Sequence, residues 1–256
     1  MPLQVPYIAD EIIERDAEAL LAEYAHGKGV EIKAPIPIED IVEKHLKLHV
    51  EFDDLHRRLE VPRKGLGPDP DILGAIWFED GEIVIDESLD PEERPSREGR
   101  YRFTLAHEGG HWRLHRPLVQ ANRRQESLFG DTRQPTVIYR SSHSKERVEL
   151  QANLYASYLL MPRTLVMKAW CERFGNENPW VLRRTDRIPL LSDVDDEVAE
   201  QVRSFDQERD QQAFEDFARP FAEKFLVSPI AMRIRLERLR LIHREIPRQR
   251  SFLLRP

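Results

Sequence analysis

The 256-residue chain has little cysteine, little glycine, no long apolar run and no surplus of positive charge, and each shortage excludes something. Cys171 is the only cysteine, so no internal disulfide forms, and a reducing cytoplasm is the expected compartment. Eleven glycines and eighteen prolines fall into no repeat, which removes collagen-like and low-complexity readings. The longest apolar stretches, such as Leu159-Leu160-Met161, fall far short of the ~18 residues a membrane span needs. Asp10, Glu11, Glu14, Arg15 and Asp16 crowd the first twenty residues without an apolar core, so no secretory signal is expected there. A net charge of −7 argues against a globally basic nucleic-acid binder.

What is present is a hydrophobic fraction of 40%, enough for a sizeable core in one or two domains. Charge is unevenly placed. Residues 190–218 hold ten acids against two bases, a net of −8, and residues 219–256 hold ten bases against three acids, a net of +7. Helical spacing of apolar residues predicts helices over 8–24, 38–45, 100–114, 145–161, 163–174, 197–217 and 229–241. Alternation over 48–52 predicts a strand. Two apolar runs, 75–78 and 83–85, flank Glu79-Asp80-Gly81 and predict a hairpin, one strand of which is free to pair with an extended substrate. Residues 116–144 show little periodicity and read as a long loop, and the chain reads as irregular from 175 to about 193. Ser228 and Pro229 fit the N-cap and first turn of the last helix.

The chemistry concentrates in His107-Glu108-Gly109-Gly110-His111. Two imidazoles four apart on a helix share a face and can bind one tetrahedral zinc ion. The intervening Glu108 is then placed to take a proton from a metal-activated water. A catalytic zinc needs a third protein ligand. His115 continues the same face, but one straight helix rarely delivers three ligands, so His115 is read as supporting His111 or as packing. A histidine at position 117 would continue the pattern into the metzincin motif; Pro117 stands there. The helix over 145–161 supplies acids, and on chemistry alone Glu149 and Glu146 are both open. Its small Ala152 and Ala156 allow close approach to the metal helix. The other histidines show no ligand spacing, and Cys171 reads as a small buried hydrophobe.

The ordered set Phe103-Thr104-Leu105-Ala106-His107-Glu108-x-Gly110-His111, Glu149-x-x-Ala152-Asn153 and Leu159-Leu160-Met161-Pro162 resembles the ImmA/IrrE family of metallopeptidases. Gly74-Ala75-Ile76 leading into Ile83-Val84-Ile85-Asp86 resembles the same family, as does Phe225-x-Val227-Ser228-x-x-Ala231-Met232-x-x-Arg235-Leu236. Gly109 departs from it, standing where an apolar residue is usual. The resemblance implies His107, His111 and Glu149 as zinc ligands, with manganese as an alternative, and Glu108 as general base. It also implies cleavage of a transcriptional repressor, often a helix-turn-helix protein encoded nearby, in mobile-element induction or stress responses. Some members carry a sensor domain after the helical one; none is expected here.

The expected fold is α+β: a minimal zincin-like core over residues 1–165, then a helical domain over 166–256 with a helix-turn-helix-like end. The expected activity is zinc-dependent endopeptidase on a regulator protein. Tyr139, Arg140 and His143, before the second helix, are the candidate donors to the oxyanion. The competing reading is a DNA-binding or toxin–antitoxin regulator with a structural or inactive zinc site. It rests on the helices around Val227-Ser228-Pro229 and on Arg233, Arg235, Arg238, Arg240 and Arg244.

Overall fold

The computed structural model describes residues 5–62, 72–128, 137–141, 146–182 and 196–244; within these, the side chains of 123–128, 137–141, 196–210 and 244 are left aside. In chain order the elements are α1 (Asp10–Lys28), α2 (Ile38–Asp40) continuing as a π turn (Ile41–His45), β1 (His49–Asp53), α3 (Leu55–Arg58), β2 (Ile72–Trp77), β3 (Glu82–Asp86), α4 (Glu98–Leu128), β4 (Val137–Ser141), α5 (Arg147–Leu160), α6 (Arg163–Phe174), β5 (Trp180–Leu182), α7 (Asp196–Phe225), α8 (Pro229–Arg238) and β6 (Ile242–Arg244). The architecture is α+β, as the sequence predicts. Among the described residues, no helix is long and apolar enough to cross a membrane.

The first four strands form one mixed sheet in the order β1-β3-β2-β4. The β2–β3 hairpin is antiparallel with Ala75 opposite Val84, and β1 runs parallel to β3. The turn closes at Gly81, whose φ of 66° suits a residue without Cβ. β4 then pairs antiparallel with β2. Both hairpin strands are therefore interior, and among the described residues the sheet's edges are β1 and β4. This overturns the expectation that a hairpin strand pairs with substrate, because the hydrogen-bonding groups of that strand are already used by β1 and β4.

α1 carries Asp10 and Glu11 in its first turn and His26 and Lys28 in its last, each sign suited to the helix dipole. Gly29, at φ 65°, caps its end. Its apolar stripe of Ile13, Ala17, Leu20, Leu21 and Tyr24 is buried, each large side chain contributing about 1.5–3 kcal/mol. That stripe packs on α5, which in turn packs on α4. Arg113 of α4 reaches back to α1, with Asp16 at 3.1 Å and Glu23 at 3.1 Å.

The expected loop over 116–144 is corrected at both ends. α4 continues through Pro117 to Leu128, and β4 follows. Residues 120–126, Gln-Ala-Asn-Arg-Arg-Gln-Glu, are polar on nearly every face, so the helix leaves no apolar period to read. α7 likewise runs past its expected end at 217, through Pro220 to Phe225. The short strands β5 and β6 pair in parallel, β5 within the expected irregular stretch and β6 just after the expected end of the last helix at 241; three residues are too few to show a period of two. Trp170, Phe174, Phe217, Phe221 and Trp180, the first residue of β5, form an aromatic cluster, with Trp180 stacked on Phe217 at 4.2 Å between ring centroids. Cys171, expected to be buried, is partly exposed on α6, on the side of the helix away from buried Val166 and Trp170.

Two adjacent glycines of α4 differ in their surroundings. A Cβ on Gly109 would meet Val42 Cγ2 at an ordinary 3.6 Å, whereas one on Gly110 would meet Tyr155 Cβ at 2.9 Å. Gly109→Ala should therefore raise unfolding free energy by about 0.5–1 kcal/mol in denaturant titration. Gly110→Ala should lower it by roughly 1–3 kcal/mol, because two packed helices must separate. Equal effects of the two substitutions would contradict this packing.

Candidate metal centre

The metal motif lies mid-helix in α4, where Thr104, Ala106, His107, Glu108 and His111 are all fully buried. β2 crosses directly above it. A Cβ on Gly74 would sit 2.6 Å from Glu108 Oε1 and 2.7 Å from Thr104 Cγ2, so this strand position tolerates only glycine while the acid keeps its place. On the other side α5 approaches through Gly110 and Tyr155. Glu149, in the first turn of α5, is 4% exposed. Glu146 is the exposed residue that precedes the helix.

These contacts bring His107, His111 and Glu149 together. The two Nε2 atoms are 2.9 Å apart. Glu149 Oε2 is 3.2 Å from His107 Nε2, and Oε1 is 3.2 Å from His111 Nε2. Zinc bonded tetrahedrally at ordinary lengths would separate its ligand atoms by about 3.3 Å. The donor set therefore fits a divalent cation in size as well as in chemistry: two imidazole nitrogens and one carboxylate. Burial opposes ionisation of Glu149, but the two facing imidazoles outweigh it and hold the carboxyl well below the usual carboxylate range.

Each imidazole is also held from behind. His107 Nδ1 lies 3.1 Å from Asn153 Oδ1. His111 Nδ1 lies 3.0 Å from His115 Nδ1, and His115 Nε2 lies 3.0 Å from Gln151 Oε1. Burial, with His111 adding to it, pushes the His115 imidazole down to about 4, so the ring is neutral at pH 7. His115 thus stands behind His111 and outside the three-residue cluster. Asn153 and Gln151 were not singled out by sequence for this work. Asn153 had one signal, its i+4 spacing from Glu149; Gln151 had none. Of the candidate oxyanion donors, Tyr139 and Arg140 stand in β4 and not in a loop, and His143 lies outside the described residues.

Residues 77–180 match the family model of the IrrE N-terminal-like domain, Peptidase_M78. This segment belongs to the ImmA/IrrE family. It runs from the end of β2 to the start of β5 and contains all three clustered side chains. No curated protein matches the chain.

Beside the centre is a cleft of about 740 Å³ between the start of α4, α5 and α8. Phe103, Leu150, Leu154, Ile230 and Ile234 line it, and Asn153, which holds His107, belongs to its wall. Leu150 and Ile230 are each 51% exposed, an unusual display for large aliphatic side chains.

The geometry distinguishes Glu149 from Glu146. Glu149→Gln should weaken zinc binding at least tenfold in competition with a chelating dye, and Glu146→Gln should leave it unchanged. Similar affinities for both variants would remove Glu149 from the ligand set.

Proposed function

We propose that the protein is a zinc-dependent endopeptidase with a zincin-like core that cuts a regulator protein in the cytoplasm. The observation that carries this reading is the convergence of His107, His111 and Glu149 from two helices inside a peptidase-family segment, with Glu108 one residue from the first imidazole. His107 Nε2, His111 Nε2 and a Glu149 carboxylate oxygen would hold the ion, zinc or manganese. When bound, the ion supplies Lewis acidity, acidifying water and polarising a peptide carbonyl. Glu108 accepts the water's proton and passes it to the leaving amine. Its carboxylate lies against β2 at Gly74, where a residue without Cβ leaves it room.

The cleft supports a polypeptide substrate, since its exposed aliphatic residues suit an apolar side chain near the scissile bond. Tyr139 and His143 are assigned to oxyanion stabilisation on sequence grounds. The substrate class, a helix-turn-helix repressor encoded nearby, comes from the family resemblance.

DNA contact is the second reading. The arginines that suggest it are largely engaged within the fold. Arg235 is buried and bonds Met161 O at 2.9 Å, and it pairs with Glu14. Arg233 lies 3.4 Å from Glu215 and 3.2 Å from Glu237, and Arg238 lies 2.7 Å from Asp10. Cations matched by acids of the same chain have little to offer a phosphate backbone. These pairs favour a packing role for α8.

Incubated with the purified product of an adjacent repressor gene, the wild-type protein should produce discrete fragments that chelator abolishes and added zinc restores. Glu108→Gln should slow cleavage by at least a hundredfold while retaining zinc; full activity in that variant would reject the base assignment. Ile234→Asp should lower kcat/KM about tenfold with zinc content unchanged. If it cleaves normally, the cleft is not where substrate binds.

A further inference from the structure

The ligand His111 does not end its hydrogen bonding on a carboxylate or a carbonyl. It ends on another histidine, which can itself carry its proton on either nitrogen. A ring that ligates through Nε2 must keep its proton on Nδ1. The neighbour must then accept at Nδ1, which requires the neighbour's own proton to sit on Nε2. Something must fix that second choice.

We propose that His115 and Gln151 form a positioning relay, anchored on the Pro6 backbone carbonyl, that locks His111 in its ligating tautomer. Gln151 Nε2 donates to Pro6 O at 2.8 Å, which orients the amide and turns Oε1 towards His115. An amide oxygen only accepts, so His115 Nε2, 3.0 Å away, carries the hydrogen. His115 Nδ1 is then a bare acceptor, and His111 Nδ1 donates to it across 3.0 Å. His111 Nε2 is left with its lone pair facing His107 and Glu149. His115 and Gln151 are buried, so water does not replace either partner. Reversing the amide, or removing it, frees His115 to take the other tautomer. His111 would then accept at Nδ1 and protonate at Nε2, where the cation belongs.

The anchor is remote in sequence. Pro6 precedes α1 and lies outside the segment that matches the family model. Arg147 fixes the same stretch, donating to Val5 O at 3.2 Å. The stretch of chain before α1 is thereby part of the metal centre's support, whereas His107 is backed by Asn153 of α5.

The inference rests on the metal-centre reading, and the test separates the two. In the full-length, zinc-loaded protein, long-range nitrogen–proton correlation spectra of the imidazoles should show His115 protonated at Nε2 and bare at Nδ1. The opposite tautomer overturns the relay without touching the ligand assignment, whereas a wild-type protein that takes up no zinc overturns both. Competition with a chelating dye supplies the second readout. His115→Leu, which offers no acceptor, should bind zinc ten- to a hundredfold more weakly. His115→Asn, which places an oxygen near the lost Nδ1, should recover most of that, and Gln151→Leu should lose about tenfold. Unchanged affinity in His115→Leu, or equal loss in His115→Asn and His115→Leu, would reduce His115 to packing and end the proposal.

Discussion

A buried carboxylate can face two buried imidazoles only if the helices that carry them nearly touch. The contact between α4 and α5 at Gly110 and Tyr155 is that constraint, and the rest of the molecule is arranged around it. α1 presses on α5 from outside, Arg113 draws α4 towards α1, and β2 closes over Glu108 at a position that only glycine can occupy. Each of these contacts removes water from three ionisable groups. The arrangement is costly unless a cation repays the desolvation, because an isolated buried charge is among the most unfavourable features a fold can hold.

The centre was legible in sequence to the extent that it is local. His107, Glu108 and His111 follow from spacing on one helix. Glu149 required knowledge of which face of α5 meets α4, and spacing alone left Glu146 equally open. Gln151 and Pro6 were not readable at all: their roles depend on a chain segment returning across α5, and a hydrogen bond between residues 145 positions apart leaves no periodic trace. His115 falls between these cases. Its position on the ligand face is local, but what it bonds to is not.

The fold shows the same division. Amphipathic helices and the β2–β3 hairpin announce themselves through apolar periods of 3.6 and 2. The far end of α4 does not, because the sequence of residues 120–126 offers no apolar period. β5 and β6 are each too short to have a period. The sheet order is a tertiary fact, and among the described residues it puts β1 and β4, not the hairpin, at the edges.

Helix α8 illustrates how charge in a sequence can mislead about a surface. α8 is rich in arginine, yet Arg235 is turned inward under Tyr158 and its neighbours are matched by acids from α1, α7 and α8 itself. Ile230 and Ile234 are left facing outward. A helix that spends its cations on internal bracing presents the outside world with a greasy ridge. In the proposed reading these side chains line the cleft that takes substrate, and apolar binding there should tolerate salt that would strip a protein from a polyanion.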